Sequence, residues 1–212
     1  MKRFRSIAIL VLLIVFIDQC LKVYVKLHFR IGEELSFFGN WALVHFLEND
    51  GMAFGWSFGG KSGKLILNLL RIAVSSSIFF LLYKSIKQNR SSVFTFSLAL
   101  IFAGALGNLI DVCFYGILFS ESSSDQIAKT IIEAKPYASF LHGKVVDMLH
   151  FPILIIEQEK MPVLIQKMFF WSNHRIVFFR SVFNLADFAL IAGLFINIVF
   201  NLNKLKRLKV RY

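Results

Sequence analysis

Four apolar stretches dominate the chain. The first, read as about 7–27, opens with eleven consecutive apolar residues from Ile7 to Ile17. The second, about 65–83, is interrupted by Asn68 and Arg71. The third, "SSVFTFSLALIFAGALGNLI" at 91–110, is 20 residues without a charge, enough to cross a bilayer core of about 30 Å. The fourth, about 184–203, holds Asp187 as its only charge. This pattern predicts a mainly α membrane protein with four transmembrane helices. Between them, "WALVHFLENDGMAFGWSFGG" sets aromatic and branched residues before an Asn-Asp-Gly turn signal, so 29–62 is expected to form a small extracytoplasmic β subdomain. Extended outer loops are expected over 112–180, with a short helix near 127–134 and an amphipathic stretch at 162–171. That stretch suits either the membrane surface or ordinary packing. There are no internal repeats, and 1–212 is read as one membrane-embedded domain.

Composition sharpens this picture. The 212 residues are 57% hydrophobic and 17% charged, against about 25% charged in soluble domains, and the mean hydropathy is +0.65. The net charge of +11 does not call for nucleic acid, because the basic residues flank the spans. Lys2, Arg3 and Arg5 precede the first; Lys84, Lys87 and Arg90 separate the second and third; Lys204, Lys206, Arg207, Lys209 and Arg211 follow the fourth. With four spans all three clusters share one side, expected to be cytoplasmic. The basic, apolar N-terminus imitates a signal peptide, but "IDQCLK" follows where small residues would mark cleavage, so it is expected to stay as an anchor. Cys20 and Cys113 match no disulfide framework or zinc spacing.

The polar residues inside the spans gather at one depth. At 1.5 Å per residue, Asp18 lies roughly 20 Å beyond Arg5 along span one. By the same rise, Asn108 and Asp111 lie roughly 25–30 Å along span three, and Asp187 roughly 25 Å from Lys204. Asp147 sits between apolar residues in "GKVVDMLHF". Four carboxylates are thereby expected to meet at the outer membrane boundary. Asp18 also suits an i,i+4 pair with Lys22, and Asn184 suits a cap for the fourth helix. Two close aspartates cannot both ionise cheaply. The charged one can take a proton from water while the protonated one polarises a peptide carbonyl, which is aspartic peptide hydrolysis.

At these residues the sequence resembles the lipoprotein signal peptidase (signal peptidase II) family of aspartic peptidases. The matching blocks, in family order, are "DQCLK" at 18–22, "ENDGMAFG" at 48–55, "AGALGNLID" at 103–111, "GKVVDM" at 143–148 and "FNLAD" at 183–187. The resemblance implies an intramembrane endopeptidase of the bacterial inner membrane, with both termini cytoplasmic and its site at the outer leaflet. It would cut prolipoprotein signal peptides before a diacylglyceryl-modified cysteine. By motif match, Asp147 and Asp187 would be catalytic. Asp18, Lys22, Asn49, Gly104, Asn108, Asp111 and Asn184 would shape and support the site. No metal or cofactor is implied; the expected partners are prolipoproteins and membrane lipids, and the expected state is a monomer. Two departures stand out. Val112 follows "GNLID" where the family commonly has Arg, and the segments 118–142 and 153–180 look like insertions.

Two other readings compete. "GWSFGGKS" at 55–62 formally satisfies G-x-x-x-x-G-K-[ST], but a phosphate loop needs a buried strand before a soluble helix, and this one leads into a membrane span. A small transporter using its intramembrane carboxylates would need polar residues at several depths, yet outside Asn68, Arg71, Thr95, Ser97, Asn197 and Asn201 the inner halves are apolar. The cytoplasmic halves offer no carboxylate.

Overall fold

The computed structural model describes residues 2–39, 41–50, 60–152, 154–157, 175–178 and 181–209. Four long helices form its bundle: α1 (Lys2–His28), α2 (Gly60–Lys87), α3 (Ser92–Ile110) and α4 (Leu185–Lys209). All four are long and apolar enough to cross a membrane. Most outrun the apolar stretches that predict them, because polar turns continue the helix beyond the bilayer core. Large apolar side chains such as Phe16 and Phe195, each 67% exposed, cover the outside, as a hydrocarbon environment requires. At one end of the bundle Arg3 donates to the Arg90 carbonyl at 2.6 Å, joining two of the basic clusters.

α3 is the most enclosed helix. Its Ala99, Ala103 and Leu98 pack with Val11 of α1 and Leu82 of α2. Against α4 the backbones come close. A Cβ on Gly104 would lie 2.2 Å from the Ala186 carbonyl oxygen, and one on Gly193 would lie 2.7 Å from that of Ser97. Small residues at such crossings let two membrane helices touch. Gly104 thus lets the start of α4 approach α3.

The third helix does not end at Ile110, where the sequence pattern ends it. A π-helical turn, Asp111–Tyr115, and a last helical turn, Gly116–Leu118, carry it on. A charge normally marks the membrane boundary, but Asp111 is fully buried and paired with Lys22, so it can sit within the helix. The expected helix near 127–134 is absent. Thr130 instead bridges Phe119, Ser120 N–H donates to the Lys129 carbonyl at 2.9 Å, and residues 131–133 turn. Pairing with the strand-like end of α3 satisfies this backbone better than an isolated helical turn.

The β subdomain is larger than residues 29–62. β1 (Glu34–Phe38) and β2 (Ala42–Asn49) are joined by β3 (Val145–His150) and β6 (Val182–Phe183), in the antiparallel order β1-β2-β3-β6. Leu47 pairs with Asp147, and Leu149 with Phe183. β4 (Leu154–Glu157) and β5 (Arg175–Phe178) make a separate antiparallel pair. The sheet sits on the bundle through Val25, Phe29, Phe46, Tyr115, Phe119, Val146 and Met148, all buried. The stretch at 162–171 and most of "GWSFGGKS" lie outside the described residues.

Candidate active site

The sequence places an aspartate at the mouth of α4, and the structure shows how it is held. Asn184 precedes the helix and its Oδ1 accepts the Asp187 N–H at 2.8 Å, while an Asp187 carboxylate oxygen accepts the Asn184 N–H at 3.2 Å. This is a reciprocal cap. It places Asp187 in the first turn, where helix N–H groups favour a negative charge. Asn184 also donates through Nδ2 to Asp147 Oδ1 at 2.7 Å and to the Val146 carbonyl at 3.2 Å. One buried amide thus caps the helix and joins the two aspartates.

Each aspartate has a second asparagine. Asn108 donates to Asp187 at 2.8 Å, and Asn49 lies 3.4 Å from Asp147 Oδ2. Asp147, on β3 between Val146 and Met148, is only 6% exposed. Burial, and then the negative charge of Asp187, push its carboxyl up to about 7 against the opposing hydrogen bonds from Asn184 and Asn49. Near neutral pH Asp147 therefore holds a proton far more readily than a free carboxyl. Both aspartates line one cavity of about 600 Å³, with Asn49, Asn108, Arg71 and Ser75 as its other polar lining and Leu70, Val74, Leu190 and Ile191 among its apolar walls.

Behind the cavity lies a buried ionic node. Lys22 Nζ is 2.9 Å from Asp18 and 2.8 Å from Asp111, and donates to Asn108 Oδ1 at 2.9 Å. All three ammonium protons have acceptors. The Asn108 amide is thereby oriented, its oxygen toward Lys22 and its nitrogen toward Asp187. Asp18 also accepts the Ala186 N–H at 2.9 Å, which ties α1 to the start of α4. Asp111 accepts from Gln19 at 2.8 Å and from the Val146 N–H at 3.3 Å, one residue before Asp147.

The four carboxylates are therefore linked but divided. Asp147 and Asp187 open to the cavity; Asp18 and Asp111 stay behind α3 with Lys22. Such a pair, with one carboxyl that can hold a proton near neutral pH, can activate water and protonate a leaving amine.

The roles of Arg71, of Asn68 and of a Lys26 network escaped sequence reasoning. Arg71 appeared only as an interruption of the second span, yet it lines the cavity and donates to Asn68 Oδ1 at 3.1 Å. Asn68, fully buried, donates in turn to the Leu141 carbonyl at 2.8 Å. An ionisable residue inside an apolar span is itself a signal of function, and it was available. Val112, by contrast, is wholly buried with Cys113 and Val145 and lends nothing polar to the cavity. The third feature is a second buried network, in which Lys26 pairs with Glu48 and donates to Ser122 at 3.0 Å.

Comparison with known proteins follows the same residues. A family model described as signal peptidase (SPase) II matches residues 10–203. A lipoprotein signal peptidase of Porphyromonas gingivalis is 37% identical over 196 residues, 92% of this chain and 82% of that protein. One of Amoebophilus asiaticus is 33% identical over 188 residues, 86% and 71% of the two chains. A solved bacterial membrane enzyme shares the fold with a TM-score of 0.59 at 19% identity, covering 95% of this chain and 90% of its own.

Proposed function

The chain belongs to the signal peptidase II family of aspartic peptidases, and we propose that Asp147 and Asp187 are its catalytic pair. The observation that carries this is their joint exposure to one cavity, bridged by Asn184. Asp187 takes a proton from the attacking water. Asp147 begins protonated, polarises the scissile carbonyl and then, as the pair exchanges protons, feeds the leaving amine. Asn108 and Asn49 hold the two carboxyls in register, and the Lys22 node holds Asn108. Arg71, which also lines the cavity, orients the peptide by hydrogen bonds to its carbonyl oxygens.

The substrates are prolipoproteins, and the reading extends to a diacylglyceryl-modified cysteine just after the cut. The cavity walls are mostly apolar, and the membrane-facing bundle allows acyl chains to arrive from the bilayer. Exposed Phe37, Phe38 and Trp41 at the β1–β2 turn suit headgroup level, so membrane lipids are its second partner. The enzyme works as a monomer in the bacterial inner membrane, with its termini cytoplasmic and the sheet outside. Nothing favours the transporter alternative.

The test is cleavage of one prolipoprotein, with and without the diacylglyceryl group, by purified wild type, Asp147→Asn and Asp187→Asn. Loss of cleavage in both variants, with the wild type preferring the lipidated form, is expected. Full activity in either variant removes that residue from the mechanism, and equal rates on both substrates remove the lipid requirement. Orientation is read separately, in a cysteine-free background, from labelling of Gln88→Cys and Ser124→Cys in intact cells. Both sites are exposed, and only position 124 should react with an impermeant reagent.

A further inference from the structure

The sheet carries a second polar cluster, away from the cavity. Glu34 on β1 faces His45 on β2 across the ladder, and His150 on β3 pairs with Leu43, two residues from His45. His45 and His150 are thus diagonal neighbours, within reach of each other's rings. Their ring centroids are 5.6 Å apart. Glu34 Oε1 lies 2.8 Å from His45 Nδ1 and 3.8 Å from His150 Nδ1. One donor atom from each residue falls within 4.8 Å of the other two.

An ion pair between Glu34 and His45 is the plainer account, and it leaves both ring nitrogens of His150 unexplained. His45 Nδ1 and both ring nitrogens of His150 are buried without a hydrogen-bond partner among the described residues. Even the 2.8 Å approach of His45 to Glu34 lacks the angles of a hydrogen bond. Two lone-pair donors turned toward a common third atom look like this. Unmet polar atoms in a buried position are costly, and a cation between them would give one donor atom of each side chain a partner.

Two imidazole nitrogens and a carboxylate are a donor set for a borderline divalent ion such as Zn²⁺. Three protein ligands leave a fourth position for water, and the half-exposed Glu34 side chain, at 47%, provides the way in. We propose that Glu34, His45 and His150 form a divalent transition-metal site, suited to Zn²⁺, that clips the β1–β2 hairpin to β3. His150 is three residues from Asp147 on the same strand, about 10 Å away. The ion steadies the strand that carries Asp147 without entering the cavity, and the inference does not depend on what the cavity cleaves.

The experiment uses the untagged full chain in detergent, stripped with a chelator and re-equilibrated with Zn²⁺. Bound metal is counted by mass spectrometry, affinity is read by competition with a chromophoric chelator, and thermal unfolding is followed with and without Zn²⁺. Wild type should hold about one Zn²⁺ per chain and unfold at a higher temperature when loaded. His45→Gln with His150→Gln should hold none and lose the thermal shift. Retained prolipoprotein cleavage by that variant shows that it is folded. Glu34→Gln alters an exposed side chain and should weaken affinity more than about tenfold, as losses around metal ligands do. It gives the answer even if the double variant fails to fold. A wild type that stays metal-free, a double variant that binds as much Zn²⁺, or unchanged affinity in Glu34→Gln overturns the site, and the first of these leaves an ordinary ion pair.

Discussion

Lys22 and Lys26 lie one turn apart on α1, and both are fully buried, yet they do different work. Lys22 has two carboxylates, Asp18 and Asp111, and an amide, Asn108, whose far side holds Asp187. Lys26 has one carboxylate, Glu48, the Ser122 hydroxyl at 3.0 Å, and the Tyr137 ring 4.9 Å from its Nζ. Glu48 also has Lys144 at 3.5 Å. The first node lies between α1, α3 and α4 and passes its order to the cavity. The second joins α1 to β2 and the outer loop, and so seats the sheet. A buried charge is tolerated wherever partners neutralise it. What it contributes depends on whether its next neighbour is a reacting group or only another element.

The sharpest break in this comparison comes at the end of the Lys22 relay. Asp147→Asn and Asp187→Asn should each lower the cleavage rate by about 10⁴-fold, the upper range for a lost acid or base. The double variant should be little worse than either single, since the pair acts as a unit. Rates measured at matched amounts of folded protein decide it, and additive losses would mean two independent roles. Next is Lys22→Met, which leaves Asp18 and Asp111 facing each other without a cation. It should cost about 3–5 kcal/mol of stability, and activity should fall with Asn108 freed. Lys26→Met should cost less, about 1–3 kcal/mol, because Lys144 remains beside Glu48. Its folded fraction should cleave nearly normally. Thermal unfolding with activity per folded molecule separates the two lysines, and equal activity losses would erase the distinction.

A smaller effect is expected across the cavity. Arg71→Gln removes a charge-assisted contact to substrate and should lower kcat/KM about tenfold or more, mainly through KM, while leaving thermal stability close to wild type. The smallest concerns pH. Asp147 holds its proton up to about 7 in the fold, against 3.8 when exposed. Between those values the native state binds a proton that the unfolded chain has lost, so this group's contribution to stability is present at low pH and fades as pH rises through about 7. Asp147→Asn should flatten that decline. In wild type, cleavage should also fall above about pH 7 as the acid is lost. A stability profile identical in both proteins would mean that Asp147 keeps an ordinary acidity.

The comparison also shows where the sequence could be read and where it could not. The pairing of Asp18 with Lys22 was visible as i,i+4 spacing, and the depth of Asp111 and Asp187 followed from helical rise alone. Glu48 with Lys26 gave no such sign, since the partners lie 22 positions apart on elements of different kind. Asn184 was legible as a cap, but its bridge to Asp147, 37 positions away, was not. Arg71 was visible and passed over, because a single cation in a long apolar run reads as a flaw until the cavity it lines is known.

By itself the sequence determined the four helices, the shared end of the bundle at which their basic flanks gather, and the membrane as solvent. These follow from apolar run length and flanking charge, which are local properties. It also placed the carboxylates near one depth, because helical rise converts position into height. Only the tertiary structure decided which carboxylates share the cavity and which are neutralised behind it. It also continued α3 through a buried Asp111 and drew β3 and β6 into the β1–β2 sheet. The physical reason is that a charge or an unpaired strand edge must find a partner once it leaves water. That partner is fixed by packing between distant segments, not by the residues on either side.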